Sequence, residues 1–495
     1  MKSNMLKKIK LNVLSGYLNF AITSCLLFFI SPFLIKFLGD SVFGIWKSIQ
    51  KILTFASIAD GKSTQALKWI IANDESKSNI KVKQQAVGSA LRVWLYFLPF
   101  VILIVILLVC NLPSLINDLD PSLYSVLYQT GFILGANILL NPLLKIPDAI
   151  LVGTNNGYKS NFIQIFGTIV SNLLMLLSSS LGYGLIGLSF VVFTVTLFNA
   201  FFIFWICNKS ISWLGVQKPT KIQVNEFFQF SFWVFLWSFV MKLILASEIL
   251  LIGYLISSEM VTNYVFSAYL IQLAVSLGLL TGSAITPSLG NLIGANEMKR
   301  SQVIVVALRD IITLIALFFG SIVILINKDF VSLWMGESYY LGHYANILIV
   351  FTMVFLVLAR IEGQIQDLTL NIKNKVIIGI LVSTISVAFG FFGFYFLENI
   401  EGIFLGILIG RILMYISFNY MVNQFTKLKP NYFKYFCVIL ILTMLFQIVE
   451  FIPTVNSWFS LMFKLIIISV IILPIYFLII LSKSSRNTVK IYLKK

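Results

Sequence analysis

The sequence predicts an all-α, polytopic membrane protein of about fourteen spanning helices, arranged as two six-helix lobes followed by two further helices. Three observations predict it. Of 495 residues, 59% are hydrophobic and only 11% charged, with a mean hydropathy of +0.95, whereas soluble domains are about 25% charged. Apolar runs long enough to cross a hydrocarbon core of about 30 Å recur along the whole chain. The 36 basic residues fall mostly into alternate short connections, the bias that orients spans with their basic loops inside the cell.

Hydropathy and turn signals place spans near residues 11–38, 43–71, 86–112, 123–147, 161–181, 184–208, 226–256, 262–291, 302–326, 342–369, 375–397, 401–425, 433–452 and 458–482. The first follows a basic N-terminal segment and runs on to Leu38 without a small-residue cleavage site, so it reads as an uncleaved span. The second carries Lys47, Lys51, Asp60, Lys62 and Lys68. Read as one regular helix, it puts the four lysines with Thr54 and Gln65 in an arc of about 120°. Each central charge costs about 2.5 to 3.5 kcal/mol on insertion scales, so this segment should face protein or a watery cavity. Omitting it would invert every later loop and erase the basic bias. With it, both termini are cytoplasmic and only Lys36 and Lys328 of the basic residues lie outside.

A faint repeat supports the two lobes. Gly182-Tyr-Gly-Leu-Ile-Gly-Leu echoes Asn399-Ile-Glu-Gly-Ile-Phe-Leu-Gly406 about 215 residues later. The expected division is 1–208, 209–426, and 427–495 with a basic cytoplasmic tail.

Nine basic residues lie within the expected spans: Lys47, Lys51, Lys62, Lys68, Lys145, Lys242, Arg360, Arg411 and Lys464. Only Asp60, Glu248, Glu362 and Asp367 read as clearly acidic there. A cationic interior points to an anionic substrate. Lys51, Lys62, Lys242, Arg360 and Arg411, with Thr54 and Gln65, are the expected cavity residues. Asp60, Glu248 and Glu362 are the candidates for ion coupling. Lys145, Lys464, Lys47 and Lys68 read as anchors or structural charges.

The net charge of +17 reflects cytoplasmic loops, not nucleic-acid binding. His343 is the sole histidine, and no GxxxxGK[ST] pattern occurs, so neither a histidine-based catalytic site nor ATP hydrolysis is expected. The four cysteines sit unpaired in apolar segments; no disulfide, metal or cofactor is expected.

Several motifs resemble the Wzx-type polysaccharide flippases of the multidrug/oligosaccharidyl-lipid/polysaccharide (MOP) exporter superfamily. They are Ser31-Pro-Phe-Leu-Ile-Lys-Phe-Leu-Gly39, Phe43-Gly-Ile-Trp46, Asp60-Gly-Lys-Ser-Thr-Gln-Ala-Leu67 and Ile249-Leu-Leu-Ile-Gly253 after Glu248. Tyr264, Pro287 with Gly294-Ala-Asn-Glu297, and Leu333-Trp-Met-Gly336 extend the match. Lys62, usually apolar in that family, and Glu248, commonly Asp, depart from it.

The resemblance implies a MATE-like two-lobed carrier in a bacterial inner membrane. Its cargo would be undecaprenyl-diphosphate-linked oligosaccharide for O-antigen (lipopolysaccharide), capsule or exopolysaccharide, moved by alternating access. Proton or sodium coupling, and polymerase and chain-length partners, are part of the same expectation. The rival readings are a membrane-embedded polymerase or glycosyltransferase, a MATE-like drug/cation antiporter, and a scaffold. An enzyme of that kind needs a sizeable outer loop, which the sequence does not offer.

Overall fold

The computed structural model describes residues 2–56, 63–74, 80–117, 119–294, 297–368, 372–429, 432–482 and 485–486. Among these residues the chain is helical throughout and contains no strand. It divides into two compact units, residues 1–242 with 257–259, and residues 243–256 with 260–495.

In the first unit α1 (Lys2–Leu38) contains Pro32 and ends at Gly39, whose φ of 81° allows an abrupt entry into α2 (Asp40–Thr54). The expected second span is not one regular helix. α2 stops at Thr54, and the next described helix is α3 (Ser63–Asp74). Thr54 Oγ1 donates to the Lys51 carbonyl at 2.7 Å, and the Phe55 N–H tightens onto Ile52 O at 3.1 Å. A hydroxyl competing for backbone carbonyls favours such an ending. The Asp60-Gly61-Lys62 sequence that follows lies outside the described residues, so the arc expected from Lys47 to Lys68 is described only in its two parts, on α2 and on α3.

α4 (Ile80–Cys110), the single turn α5 (Leu112–Leu115), and α6 (Tyr124–Leu144) follow. At Lys145 the chain breaks and resumes as α7 (Ile146–Gly153), because Pro147 in its first turn can begin a helix but not continue one. α8 (Gly157–Ser180) and α9 (Gly184–Ser210) form a hairpin through Gly182, with φ of 82°. α1 packs along α8, α6 along α9, and α3 lies between α4 and α7. The 35-residue α10 (Lys221–Leu255) closes this unit at Lys242.

The second unit takes α10 onward from Leu243. α11 (Ser258–Ser267) and α12 (Tyr269–Gly294) meet at a 56° bend. Asn327 from α13 (Met298–Trp334) donates at 2.7 Å to the Ser267 carbonyl that the bend frees, which is how a kinked helix stays satisfied away from water. α14 (His343–Asp367) is the central helix, buried at nearly every position from Ala345 to Ile365, and it packs on α12, α13 and α16.

α15 (Ile372–Leu397) and α16 (Ile400–Thr426) form the tightest pair. A Cβ on Gly402 would strike the Gly393 carbonyl, and one on Gly406 the Phe389 carbonyl; without side chains the two backbones touch. Both halves of the sequence repeat begin the second helix of a hairpin, α9 and α16, and in each a glycine (Gly187, Gly402) packs on the preceding helix. α17 (Tyr432–Ile448) and α18 (Trp458–Ile480) lie against α13.

Among the described residues, twelve helices are long and apolar enough to cross a membrane, and the bent α11–α12 pair makes a thirteenth. The remaining expected span is the broken α2–α3 segment. Large side chains such as Phe396 (84% exposed), Phe451 (84%) and Phe459 (83%) stand outward, where lipid rather than water would accept them.

Candidate functional site

The sequence-derived candidates divide between the units. Lys51 and Thr54 close α2, and Gln65 is exposed in the first turn of α3. Lys47 lies over the Phe43 ring, 5.0 Å from its centroid, an arrangement in which the aromatic face partly offsets a poorly solvated cation. Lys242 is half-buried in α10. Asp60 and Lys62 lie outside the described residues. Arg360 and Glu362 on α14, Arg411 on α16 and Glu248 on α10 all belong to the second unit.

Three acids that the sequence reading did not count are inside helices: Asp148 on α7, and Asp310 and Asp329 on α13. Asp148 and Asp329 fell just beyond the expected ends, and Asp310 was passed over beside the cytoplasmic arginines. Each is held by a base: Lys68 to Asp148 at 3.2 Å, Lys434 to Asp310, and Lys464 to Asp329 at 2.6 Å. Lys375 and Asp367 pair likewise at 2.7 Å.

Glu362 is the most completely satisfied of these acids. Arg309 grips it edge on, Nε to Oε1 and Nη2 to Oε2, both at 2.7 Å. Arg309 Nη1 donates to Asn423 Oδ1 at 2.7 Å, and Asn419 donates to Glu362 Oε1 at 2.9 Å. A buried pair whose remaining donors and lone pairs are also bonded is a structural clamp.

Arg411 is bonded differently. Its side chain is 2% exposed and that of Glu248 is 3% exposed, with Nη2 donating to Glu248 Oε1 at 2.8 Å. The same Nη2 donates to the Ile244 carbonyl, while Ser247 donates to Glu248 Oε2 at 3.2 Å. Nε and Nη1 have no hydrogen-bond partner among the described residues. Tyr264, buried and stacked on Phe404 with centroids 5.6 Å apart, feels the charges of both Glu248 and Arg411.

Arg360, a helix away on α14, has neither an ion pair nor a hydrogen bond among the described residues. Arg411 and Lys375 act on it as like charges. The helix whose span is the most completely buried, at 83%, therefore carries a cation without a counter-ion among the described residues.

A cavity of about 770 Å³ opens between α14, α15 and α16, lined by Gln366, Asn374, Ser417, Tyr420 and Gln424 among apolar residues. Sequence reasoning did not select these uncharged polar side chains, because a lone amide or hydroxyl in an apolar run gives no periodic signal. Among the described residues no cluster of His, Cys, Asp or Glu is arranged to hold a metal ion.

No protein-family model matches the chain, and no curated protein does. Solved structures do. A Vibrio cholerae MATE transporter superposes with a TM-score of 0.61 at 13% identity, covering 87% of this chain and 99% of that one. The outward-facing form of a multidrug resistance MATE family transporter of the MOP superfamily gives 0.58 at 14%, covering 84% and 95%. A MOP superfamily transporter from Pyrococcus furiosus, described as having a binding pocket of reverse polarity that suggests a different function, gives 0.55 at 14%, covering 85% and 94%. At these identities the likeness establishes the MATE fold.

Proposed function

We propose that this chain is a transporter for an anionic, lipid-linked solute, specifically a polyprenyl-diphosphate-linked oligosaccharide carried outward across a bacterial inner membrane by alternating access. One observation carries the reading. Among the described residues, five buried acids, Asp148, Glu248, Asp310, Asp329 and Glu362, are each held by a base, the more exposed Asp367 at the end of α14 is held by Lys375, and positive charge remains on Arg360 and Lys47. An organic cation needs an acidic group to meet it; a diphosphate needs the reverse.

The fold is the frame for such transport, since its solved neighbours are transporters. That a neighbour of the same fold is described by a reversed pocket polarity supports treating sign as a variable within this architecture. Moving about two negative charges outward across a potential of about 100 mV, negative inside, is favoured by about 4 to 5 kcal/mol, enough to contribute to the driving force.

The test is the sidedness of lipid-linked oligosaccharide in inner-membrane vesicles from cells with and without the gene, read with a lectin that reaches one face. Complete units accumulating on the cytoplasmic face of the deletion strain are expected. Units that reach the outer leaflet but stay unpolymerised would overturn the reading in favour of a polymerase. Normal sidedness, together with uptake of organic cations by vesicles carrying the protein, would favour a drug antiporter.

A further inference from the structure

In the second unit α13, α16, α17 and α18 converge where α16 ends and α17 begins, and a cavity of about 320 Å³ lies among them. Its polar lining includes Arg309, Asp310, Asn419, Lys429, Lys434 and Tyr435. A second cavity, of about 550 Å³, lies between α14, α16 and α17 and shares Asn419, Leu428 and Tyr435 with the first. Its walls are chiefly apolar, with Phe355, Ile412, Ile416, Phe436 and Ile439 among them. Ile416 is 50% exposed and Phe436 60%, both on helices long and apolar enough to span a membrane, so this wall faces lipid. A small basic chamber thus continues into an apolar groove on the lipid-facing surface.

Charge around the chamber does not cancel. Arg309 is neutralised by Glu362. Lys434 holds Asp310, which also accepts from the Ser482 N–H at 3.0 Å and the Ser485 hydroxyl at 2.6 Å. Lys429 is exposed and makes no ion pair among the described residues. Lys427, also exposed, ends α16 with a φ of 56° and adds a second positive charge two residues away. The acids in reach are already taken, and the surplus is cationic.

We propose that the two cavities form one site for an anionic phospholipid of the surrounding bilayer, with its phosphate in the basic chamber beside Lys429 and Lys434 and one acyl chain in the apolar groove. The basic bias of the connections assigns this end to the cytoplasmic side, where basic pockets between spanning helices take anionic headgroups. Ligand pockets run from about 300 to 1,000 Å³, so the chamber is at the small end and suits a phosphate and its glycerol, not an oligosaccharide. The occupant is therefore a component of the membrane and not the cargo, and the site does not depend on what the protein carries. Seated there, the lipid links the α16–α17 connection to α13 beside the Asp310 tether and reinforces the packing of the last two helices.

The experiment is native mass spectrometry of the full-length protein in detergent, with phosphatidylglycerol or phosphatidylcholine of the same acyl chains added. The wild type should retain one phosphatidylglycerol at least about fivefold more strongly than phosphatidylcholine. Lys429→Glu should abolish that preference. Lys373→Glu makes the same change at the same end, on α15, which lines neither cavity, and should keep it. Ile416→Trp, which fills the groove from the lipid side, should weaken phosphatidylglycerol retention at least about threefold. Glycerol phosphate, the head without its chains, should not displace the lipid at millimolar concentration.

Equal retention of the two lipids by the wild type would overturn the proposal, as would an unchanged preference in Lys429→Glu. Loss of the preference in Lys373→Glu as well would overturn it by showing attraction to net charge alone. Retention indifferent to Ile416→Trp would remove the acyl groove, and displacement by glycerol phosphate would replace the lipid with a free anion. Lys429 and Lys373 are exposed, so the comparison between them survives even if Ile416→Trp fails to fold.

Discussion

Arg309 and Glu362 meet edge to edge, with both nitrogen–oxygen distances at 2.7 Å and the arginine 11% exposed. They join α13 to α14, and Asn423 and Asn419 extend the joint to α16. Arg309→Lys keeps the charge but loses the planar fork. Breaking such a pair costs about 3 to 5 kcal/mol, and the lysine variant should lose a substantial part of that. Its apparent melting temperature in detergent, compared with wild type, checks this; an unchanged value would mean the clamp does not support the fold.

Glu248→Ala strands Arg411 as a buried charge without a counter-ion and should destabilise the protein by about 3 to 5 kcal/mol. Replacing both partners, as in Glu248→Leu with Arg411→Met, should recover most of that loss, because an apolar pair needs no compensation. Thermal unfolding of the single and double variants separates the two cases. A double variant no more stable than Glu248→Ala would refute the account.

The α15–α16 pair depends on missing side chains. A Cβ on Gly402 has no room against the Gly393 backbone, so Gly402→Val should pry the helices apart and abolish a monodisperse folded protein. Gly16, where a Cβ meets nothing within 4 Å, should accept alanine with almost no effect. Size-exclusion profiles of the two variants provide the comparison.

Asp310 tethers the last two helices: Lys434 pairs with it, the Ser482 N–H reaches it at 3.0 Å and the Ser485 hydroxyl at 2.6 Å. Asp310→Lys should loosen α17 and α18, seen as faster protease cleavage in the segment before α17. Adding Lys434→Asp should restore the ion pair but not the two serine bonds, so protection should return only in part. Full restoration would show that the serines contribute nothing.

If the cargo carries about two negative charges, collapsing the membrane potential with potassium and valinomycin should slow its outward movement several-fold even at constant pH. Flux that is indifferent to the potential would argue for a neutralised cargo or full compensation by a coupled ion.

Fold class was legible because a bilayer imposes a one-dimensional rule: each span must be about 20 apolar residues, and basic loops alternate in side. The hairpin repeat was legible for the same local reason, since the glycines of α9 and α16 sit at matching places in sequence. The continuity of the second span was not, because the arc joining Lys47 to Lys68 assumed unbroken helical phase, and α2 ends at Thr54.

The sequence by itself predicted cations in excess within the spans, because counting charges needs no coordinates, but its count left out Asp148, Asp310 and Asp329. Only the tertiary structure decided which of them are neutralised. Arg411 and Arg360 look alike in sequence, both single arginines in apolar runs. In space one lies 2.8 Å from a glutamate 163 residues away and the other has no such partner among the described residues. Pairing is a property of distance in a medium of low dielectric, where a few ångströms separate a neutralised charge from one left without a counter-ion.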